Sequence, residues 1–230
     1  MTKDCWRRIS PVSVFARRQD NKNLAMDPIA PLRDFVIAMT TLVSNNLQED
    51  AVLSEGTPLL ERLIKSNSWL PDFCATPHPD FYQQFLLHGD PLERFSVVSF
   101  VWGPGQKSPI HDHGVWGLIG MLKGIEIAQS YQRLPNGALV TDGKEQRLQP
   151  GQIESISPQR GDIHHVRNAL EKEPSISIHV YGGNIGAIRR HVYDPTTGAS
   201  KSFVSGYSSD LVPNLWDRSG GIREELTTIK

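Results

Sequence analysis

Residues 105–124, GQKSPIHDHGVWGLIGMLKG, carry two histidines, His111 and His113, separated by a single aspartate. Side chains alternate across an extended strand, so both imidazoles face the same side. A metal ion can sit between two such histidines if a third ligand comes from elsewhere in the chain. The second half of the chain offers His164, within PQRGDIHHVRN at residues 158–168. The sequence therefore predicts a metal site formed by His111, His113 and His164.

The 230-residue chain has the composition of one sizeable globular domain without an electrostatic bias. It is 38% hydrophobic, and 24 basic residues nearly balance 25 acidic ones. This balance favours neither nucleic acid nor an anionic membrane surface as a partner. No run approaches the roughly 18 apolar residues that a membrane span needs. The cysteines, Cys5 and Cys74, fit neither a disulfide framework nor a zinc cluster, so a reducing cytoplasm is the expected location.

Residues 27–230 are expected to form one domain, with helices in about 27–94, a barrel in about 95–200 and a C-terminal wrap. Apolar residues recur at three- and four-residue steps over residues 28–46, which predicts a first helix. A second helix is predicted to begin at Thr57 as its N-cap, followed by Pro58. The basic residues 1–26 have the charge balance of a targeting peptide. Because no apolar segment or cleavage site follows, we favour a disordered tail or an extension upstream of Met26.

From residue 95 onward the chain consists of short β-branched and aromatic runs separated by Gly, Pro and Asn. The runs predicted as strands are residues 95–102, 116–122, 126–133, 153–156, 175–181 and 187–193. Turn signals such as Pro135-Asn136-Gly137 lie between them, so we predict an all-β sandwich or barrel. Residues 200–230 are expected to wrap irregularly over this barrel.

The two histidine motifs resemble the paired motifs of the cupin superfamily, in which a jelly-roll barrel encloses a metal ion. The motif residues are Gly105, His111, Asp112, His113 and Gly124, then Gly161, His164 and Asn168. Many cupins add a glutamate ligand after the first histidine pair, but Gly117 and Leu118 stand here. The resemblance implies an all-β dominated cupin jelly roll with N-terminal helices packed on it and a three-histidine site. Fe²⁺ and Zn²⁺ both accept these ligands. His165 faces the opposite side of its strand and is interpreted as structural.

A second row of polar residues lies in SISIHVY, residues 175–181. On a strand, Ser177, His179 and Tyr181 share one face, while apolar residues share the other. Inside a barrel these groups must be hydrogen-bonded, so we predict a Ser-His-Tyr relay. The alternative interpretation is the solvated face of an edge strand.

Together, HDH, GDIHHVRN and SISIHVY resemble the cysteine dioxygenase family of thiol dioxygenases, over about residues 27–193. The resemblance implies that His111, His113 and His164 bind Fe²⁺. It also implies that Ser177, His179 and Tyr181 place a phenol beside the iron. The implied reaction adds both atoms of O₂ to a small thiol and gives a sulfinate, so a small-molecule thiol and O₂ are the expected partners. The oligomeric state is left open.

Two departures from the family pattern bear on the substrate. Mammalian-type cysteine dioxygenases carry a cysteine, crosslinked to the active-site tyrosine, at the place that matches Gly117. They also bind the substrate carboxylate with an arginine two residues after a tyrosine, where Tyr82-Gln83-Gln84 puts a glutamine. The pattern is more similar to bacterial 3-mercaptopropionate dioxygenases, in which a later arginine, here Arg190, meets the carboxylate. We therefore expect Tyr82, Arg190 and Gln84 to contact the substrate, with Gln83 in place of Gln84 if the match shifts by one residue.

These departures favour 3-mercaptopropionate as the substrate. Cysteine dioxygenase proper, which oxidises L-cysteine, is the alternative enzyme. A non-catalytic metal-binding or sensor cupin is the alternative from a different functional class. A zinc-dependent cupin isomerase is disfavoured because the chain lacks the motif glutamate.

Overall fold

A computed structural model describes residues 27–209 and 219–228 of the chain. Residues 1–26, and the expectation attached to them, lie outside this part. The described elements are α1 (Ala30–Val43), α2 (Glu49–Leu63), a 3₁₀ turn (Asp72–Cys74), β1 (Gln83–Gly89), β2 (Ser96–Trp102), β3 (Ile110–His111), β4 (Gly117–Lys123), β5 (Glu126–Arg133), β6 (Leu139–Leu148), β7 (Ile153–Ile156), β8 (His164–Asn168), β9 (Ser175–Tyr181), β10 (Arg190–Tyr193), β11 (Ser200–Phe203) and α3 (Ser219–Thr228).

The strands form two antiparallel sheets that face each other. One has the order β1-β2-β9-β4-β7, and the other has the order β11-β10-β3-β8-β5-β6. Side chains from both sheets meet in one buried cluster, which includes Phe100, Ile119, Ala128 and Val166. The predicted cupin jelly roll with N-terminal helices is confirmed. Within the described residues, no helix is both long and apolar enough to cross a membrane.

The N-terminal helices cover the outer face of the five-stranded sheet. A second buried cluster joins Phe35 and Met39 of α1 and Leu60 of α2 to Ile178 and Val180 of β9. The outer face of β9 is therefore apolar and covered. Its inner face carries the polar row of Ser177, His179 and Tyr181.

The prediction that α2 begins at Thr57 was wrong. The helix begins eight residues earlier, at Glu49, and Thr57 and Pro58 lie inside it. Its buried stripe includes Val52, Leu53 and Leu60 at helical spacing, and packing of this stripe outweighs the one backbone hydrogen bond that Pro58 forgoes. The Thr57 hydroxyl donates to the Leu53 carbonyl, as in a helix interior, instead of capping the helix.

Four further elements differ from the predictions. Strand β1 lies in the region assigned to helices, where it pairs with β2. Strand β6 was not predicted because its middle residues are all exposed and show no apolar alternation. The C-terminal region contains β11, paired with β10, and helix α3, so it is not wholly irregular.

Helix α2 packs directly on the backbone of β4. A Cβ atom at Gly120 would lie 3.0 Å from Leu60 Cδ2, so the leucine fills the space that the glycine leaves. Leu60 is fully buried.

We expect Leu60→Ala to lower the free energy of unfolding by about 2–5 kcal/mol, because the truncation leaves a cavity against β4. Denaturant unfolding measures the change. The matched control is Leu92→Ala, at a leucine that is 73% exposed, with an expected change within about 0.5 kcal/mol. Equal effects of the two substitutions would contradict this packing.

Candidate metal centre and active site

Two histidines on strands and one in a loop meet in the space between the sheets. His111 ends β3, His113 follows it in the next loop, and His164 begins β8 directly opposite His111 in the strand register. One ligand nitrogen from each ring lies within 4.8 Å of the other two. The structure thus brings together all three predicted metal ligands.

Backbone contacts determine which imidazole nitrogen faces the site. His111 Nδ1 donates to the Pro109 carbonyl at 3.0 Å, and His113 Nδ1 donates to the Asp162 carbonyl at 3.0 Å. Each Nε2 atom therefore carries the lone pair, the form in which histidine binds a metal. Burial lowers the pKa of His111 to about 4 and holds the pKa values of His113 and His164 well below the usual range. Three neutral nitrogen donors fit a divalent transition metal.

Two aspartates that the sequence analysis did not assign hold this geometry. Asp112 points away from the histidines and contacts β10, where it accepts from the His191 backbone N–H at 2.7 Å and the Tyr193 hydroxyl at 2.7 Å. Asp162 Oδ2 accepts from the backbone N–H groups of His113 at 2.9 Å and Gly114 at 2.8 Å. The alternation within His-Asp-His could have predicted the direction of Asp112. The contacts of Asp162 cross 49 residues of sequence and leave no such pattern.

The polar row on β9 forms a hydrogen-bonded chain. Ser177 Oγ lies 2.8 Å from His179 Nε2, and His179 Nδ1 lies 2.7 Å from the Tyr181 hydroxyl. The Tyr181 ring stacks on the His113 ring with centroids 5.6 Å apart. Strand β9 lies between β2 and β4 and is buried throughout, so the alternative of a solvated edge strand was wrong. Burial lowers the pKa of His179 to about 3 and raises the pKa of Tyr181, so both side chains are neutral.

Arg190 enters the same cavity from β10. Its Nη2 atom donates to Ser205 Oγ at 2.6 Å, and its guanidinium carbon lies 4.7 Å from the centre of the Phe203 ring. The side chain is buried, and its Nε–H has no hydrogen-bond partner. No carboxylate in the described part of the chain lies within ion-pair distance of it. A buried cation in this setting calls for an anion that is not part of the described protein.

Gln84 on β1 and Tyr82 just before it contribute to the cavity lining. Gln84 is buried, and its amide donates to the Gly206 carbonyl. The Tyr82 ring, just before β1, stacks on Trp102 with centroids 4.3 Å apart. Gln83 points to the other side of the strand, into a surface groove beside Phe73. Of the two glutamines, the geometry thus places Gln84 next to the histidines.

Two further positions complete the description of the site. A Cβ atom at Gly117 would lie 2.8 Å from Ile156 Cγ1 and 3.1 Å from Tyr181 Cδ1, so an apolar side chain from β7 occupies the space beside the tyrosine. His165 lies outside the cavity, where its Nδ1 atom is 3.3 Å from the Tyr131 hydroxyl. The histidine cluster therefore contains His164 and not its neighbour.

We expect Asp162→Ala to weaken metal binding about 10- to 100-fold, because the loop that carries His113 loses two charge-assisted hydrogen bonds. Calorimetric titration of the metal-free protein with Zn²⁺ measures the affinity. The control is Asp142→Ala, at an exposed aspartate on β6, which should bind as tightly as the unsubstituted protein. Unchanged affinity in Asp162→Ala would show that the loop holds His113 without the carboxylate.

Comparison with solved structures finds matches at low sequence identity and low TM-score. A conserved double-stranded β-helix protein from Klebsiella pneumoniae is 21% identical with a TM-score of 0.40, over 50% of this chain and 84% of that one. A cupin superfamily protein from Desulfitobacterium hafniense is 12% identical with a TM-score of 0.36, over 46% and 81%. A cupin 2 conserved barrel domain protein from Salinispora arenicola is 20% identical with a TM-score of 0.35, over 46% and 80%.

Comparison with protein families gives a match over more than half of the chain. The matching family model is described as cysteine dioxygenase type I and covers residues 75–194. This range contains the three histidines, the polar row on β9 and Arg190. The chain belongs to the cysteine dioxygenase type I family.

Proposed function

We propose that this protein is a non-haem iron(II) thiol dioxygenase that adds both atoms of O₂ to a small thiol carboxylate, with 3-mercaptopropionate as its favoured substrate and a sulfinate as its product. Membership of the cysteine dioxygenase type I family supports thiol dioxygenase chemistry in general. The observation that carries the substrate class is Arg190, a buried cation without an acidic partner among the described residues, in the cavity that the three histidines line.

The donor set supports iron as the metal. His111, His113 and His164 are neutral, so a divalent ion between them keeps its full double charge and favours anionic ligands. When bound, iron would supply the redox chemistry that joins a thiolate to O₂. Zinc accepts the same donors, so the identity of the metal is part of the experimental test.

Arg190 would bind the substrate carboxylate. Ser205 and Phe203 hold the guanidinium in place, and its Nε–H is left without a partner. A carboxylate provides the charge-assisted hydrogen bonds that this buried group lacks. Binding at Arg190 orients the thiol end of a short substrate towards the three histidines that line the same cavity.

The lining of the cavity, which includes no acidic side chain among the described residues, favours a substrate without an ammonium group. The α-ammonium of cysteine would be buried there without a charged partner, which is unfavourable. 3-Mercaptopropionate has the same thiol and a carboxylate but no ammonium. This difference in charge supports it over L-cysteine.

The Tyr181 hydroxyl would complete the site. Tyr181 lines the cavity beside His113 and stays protonated, because burial raises its pKa. A neutral phenol donates a hydrogen bond to a substrate or to O₂ without adding charge to the cavity. His179 and Ser177 hold the oxygen of this hydroxyl in position.

The iron-loaded protein should consume O₂ on addition of 3-mercaptopropionate and form the sulfinate, with a higher kcat/KM than for L-cysteine. Oxygen uptake and chromatographic detection of the sulfinate measure the two quantities. His164→Ala should abolish the reaction, because two imidazoles hold the metal poorly. A higher kcat/KM for L-cysteine would identify a cysteine dioxygenase. Bound metal without thiol-dependent oxygen uptake would identify a non-catalytic metal-binding cupin.

Arg190→Gln should lower kcat/KM for 3-mercaptopropionate about 10- to 100-fold, the loss expected for charge-assisted hydrogen bonds worth ~1.5–3 kcal/mol. Activity towards 2-mercaptoethanol, which has no carboxylate, should change little. The matched control is Arg189→Gln, because the neighbouring arginine is exposed and faces Glu225. An equal loss of kcat/KM for both thiols would contradict carboxylate binding by Arg190.

A further inference from the structure

A fourth residue extends the hydrogen-bonded chain on β9 away from the metal centre. Glu126, on β5 of the opposite sheet, is 3% exposed, and its Oε2 atom lies 3.1 Å from Ser177 Oγ. The contacts run in the order Glu126, Ser177, His179 and Tyr181, and the last of these residues lines the cavity. The proposed function assigns no role to this carboxyl group.

The number of available protons allows the hydrogen bonds among these four side chains to run in only two directions. A serine hydroxyl donates one proton, and a neutral imidazole carries one N–H. If Glu126 is ionised, Ser177 donates to it, His179 Nε2–H donates to Ser177, and the Tyr181 hydroxyl donates to His179 Nδ1. If Glu126 is neutral and donates to Ser177, every bond reverses. His179 Nδ1–H then donates to the tyrosine oxygen, and the Tyr181 proton is free to point into the cavity.

The surroundings of Glu126 favour the neutral form. Its Oε1 atom is buried and has no hydrogen-bond partner, and no cation in the described part of the chain lies within ion-pair distance. Its strand neighbours are Leu148 on β6 and Asn168 on β8, neither of which titrates. An ionised carboxylate in this position would lack a compensating positive charge.

The pKa of Glu126 agrees with this geometry. Burial raises it to about 8, the hydroxyls of Ser177 and Ser175 oppose the rise, and the negative charge of Glu154 on β7 adds to it. Loss of this one proton would reverse the chain without charging any of the other three side chains. His179 stays neutral in either direction, since burial lowers its pKa to about 3.

We propose that Glu126 is a positioning residue whose carboxyl proton determines whether the Tyr181 hydroxyl donates into the cavity or back to His179. The consequence for catalysis rests on the proposed function, whereas the direction of the chain does not. In the neutral form, Glu126 holds the tyrosine as a hydrogen-bond donor towards the substrate.

The tautomer of His179 tests this proposal in the metal-free protein. With ¹⁵N-labelled histidine, NMR should show the His179 proton on Nδ1 at about pH 6 and on Nε2 at about pH 10. Glu126→Gln should hold a single tautomer at both pH values, because an amide does not titrate in this range. A wild-type tautomer that does not change with pH, or a Glu126→Gln variant that switches like the wild type, would overturn the proposal.

A second measurement does not depend on the folding of the variant. The infrared carbonyl band of a neutral, buried carboxylic acid should be present in the wild-type protein near neutral pH and disappear through about pH 8. Its absence at neutral pH would also overturn the proposal. Neither readout needs metal, thiol or O₂, so failure of the proposed function would leave both interpretable.

In the iron-loaded enzyme, wild-type kcat at about pH 9 should be about tenfold below its neutral value, one pH unit above the titration of Glu126. Glu126→Gln should remove this alkaline decrease. The control is Glu171→Gln, at an exposed glutamate, which should keep it. An alkaline decrease of the same size in Glu126→Gln would contradict the role of Glu126 in catalysis while leaving the thiol dioxygenase assignment intact.

Discussion

The metal centre depends on the register between β3 and β8, which sets His111 directly opposite His164. A slip of one residue would turn His164 out of the cavity and bring in His165, because side chains alternate along a strand. Ser108 helps to hold this register: its N–H donates to the Val166 carbonyl at 2.9 Å, and its hydroxyl accepts from the Val166 N–H at 2.9 Å. Strand β8 also pairs along its length with β5. Contacts with neighbouring residues and with β5 thus fix the register of the two short strands β3 and β8.

The helices make a polar barrel interior possible. Strand β9 has Ile176, Ile178 and Val180 on one face, which pack beneath α1 and α2. This apolar packing stabilises the strand from outside, so its other face can carry Ser177, His179 and Tyr181 towards the cavity. Each of these polar groups has a hydrogen-bond partner, which keeps the cost of burial low. Stability and function therefore lie on opposite faces of one strand.

Charge in the cavity is distributed unevenly. The imidazoles and the phenol that line it are neutral, whereas Arg190 is a cation with no acidic partner among the described residues. Burial makes a lone charge costly and makes its interaction with an incoming anion strong. Glu126 lies on the far side of the polar row, with Ser177 and His179 between it and Tyr181. In its neutral form it adds no negative charge that would weaken the attraction for an anionic substrate.

Local patterns in the sequence predicted much of this protein. Period-two alternation is a property of the strand itself, so it put Ser177, His179 and Tyr181 on one face of β9. It also predicted that His111 and His113 face the same side, and the two imidazoles do meet, although His113 lies in the loop after β3. Runs of β-branched and aromatic residues predicted the bounds of β5, β7 and β9 as the structure has them. The start of α2 was missed because the buried stripe of this helix begins at Val52 and Leu53, before Thr57.

Only the tertiary structure decided which residues surround the site. Sequence-distant segments meet where Gln84 lines the cavity, where Asp162 contacts the His113 loop and where Glu126 approaches Ser177. The same packing leaves Arg190 without a described carboxylate within ion-pair distance. Such contacts depend on how the two sheets pack, and the residue pattern of a single sequence does not predict this packing. The sequence by itself thus determined the strand faces and the metal ligands, whereas the packing of the two sheets decided which charges and protons lie around them.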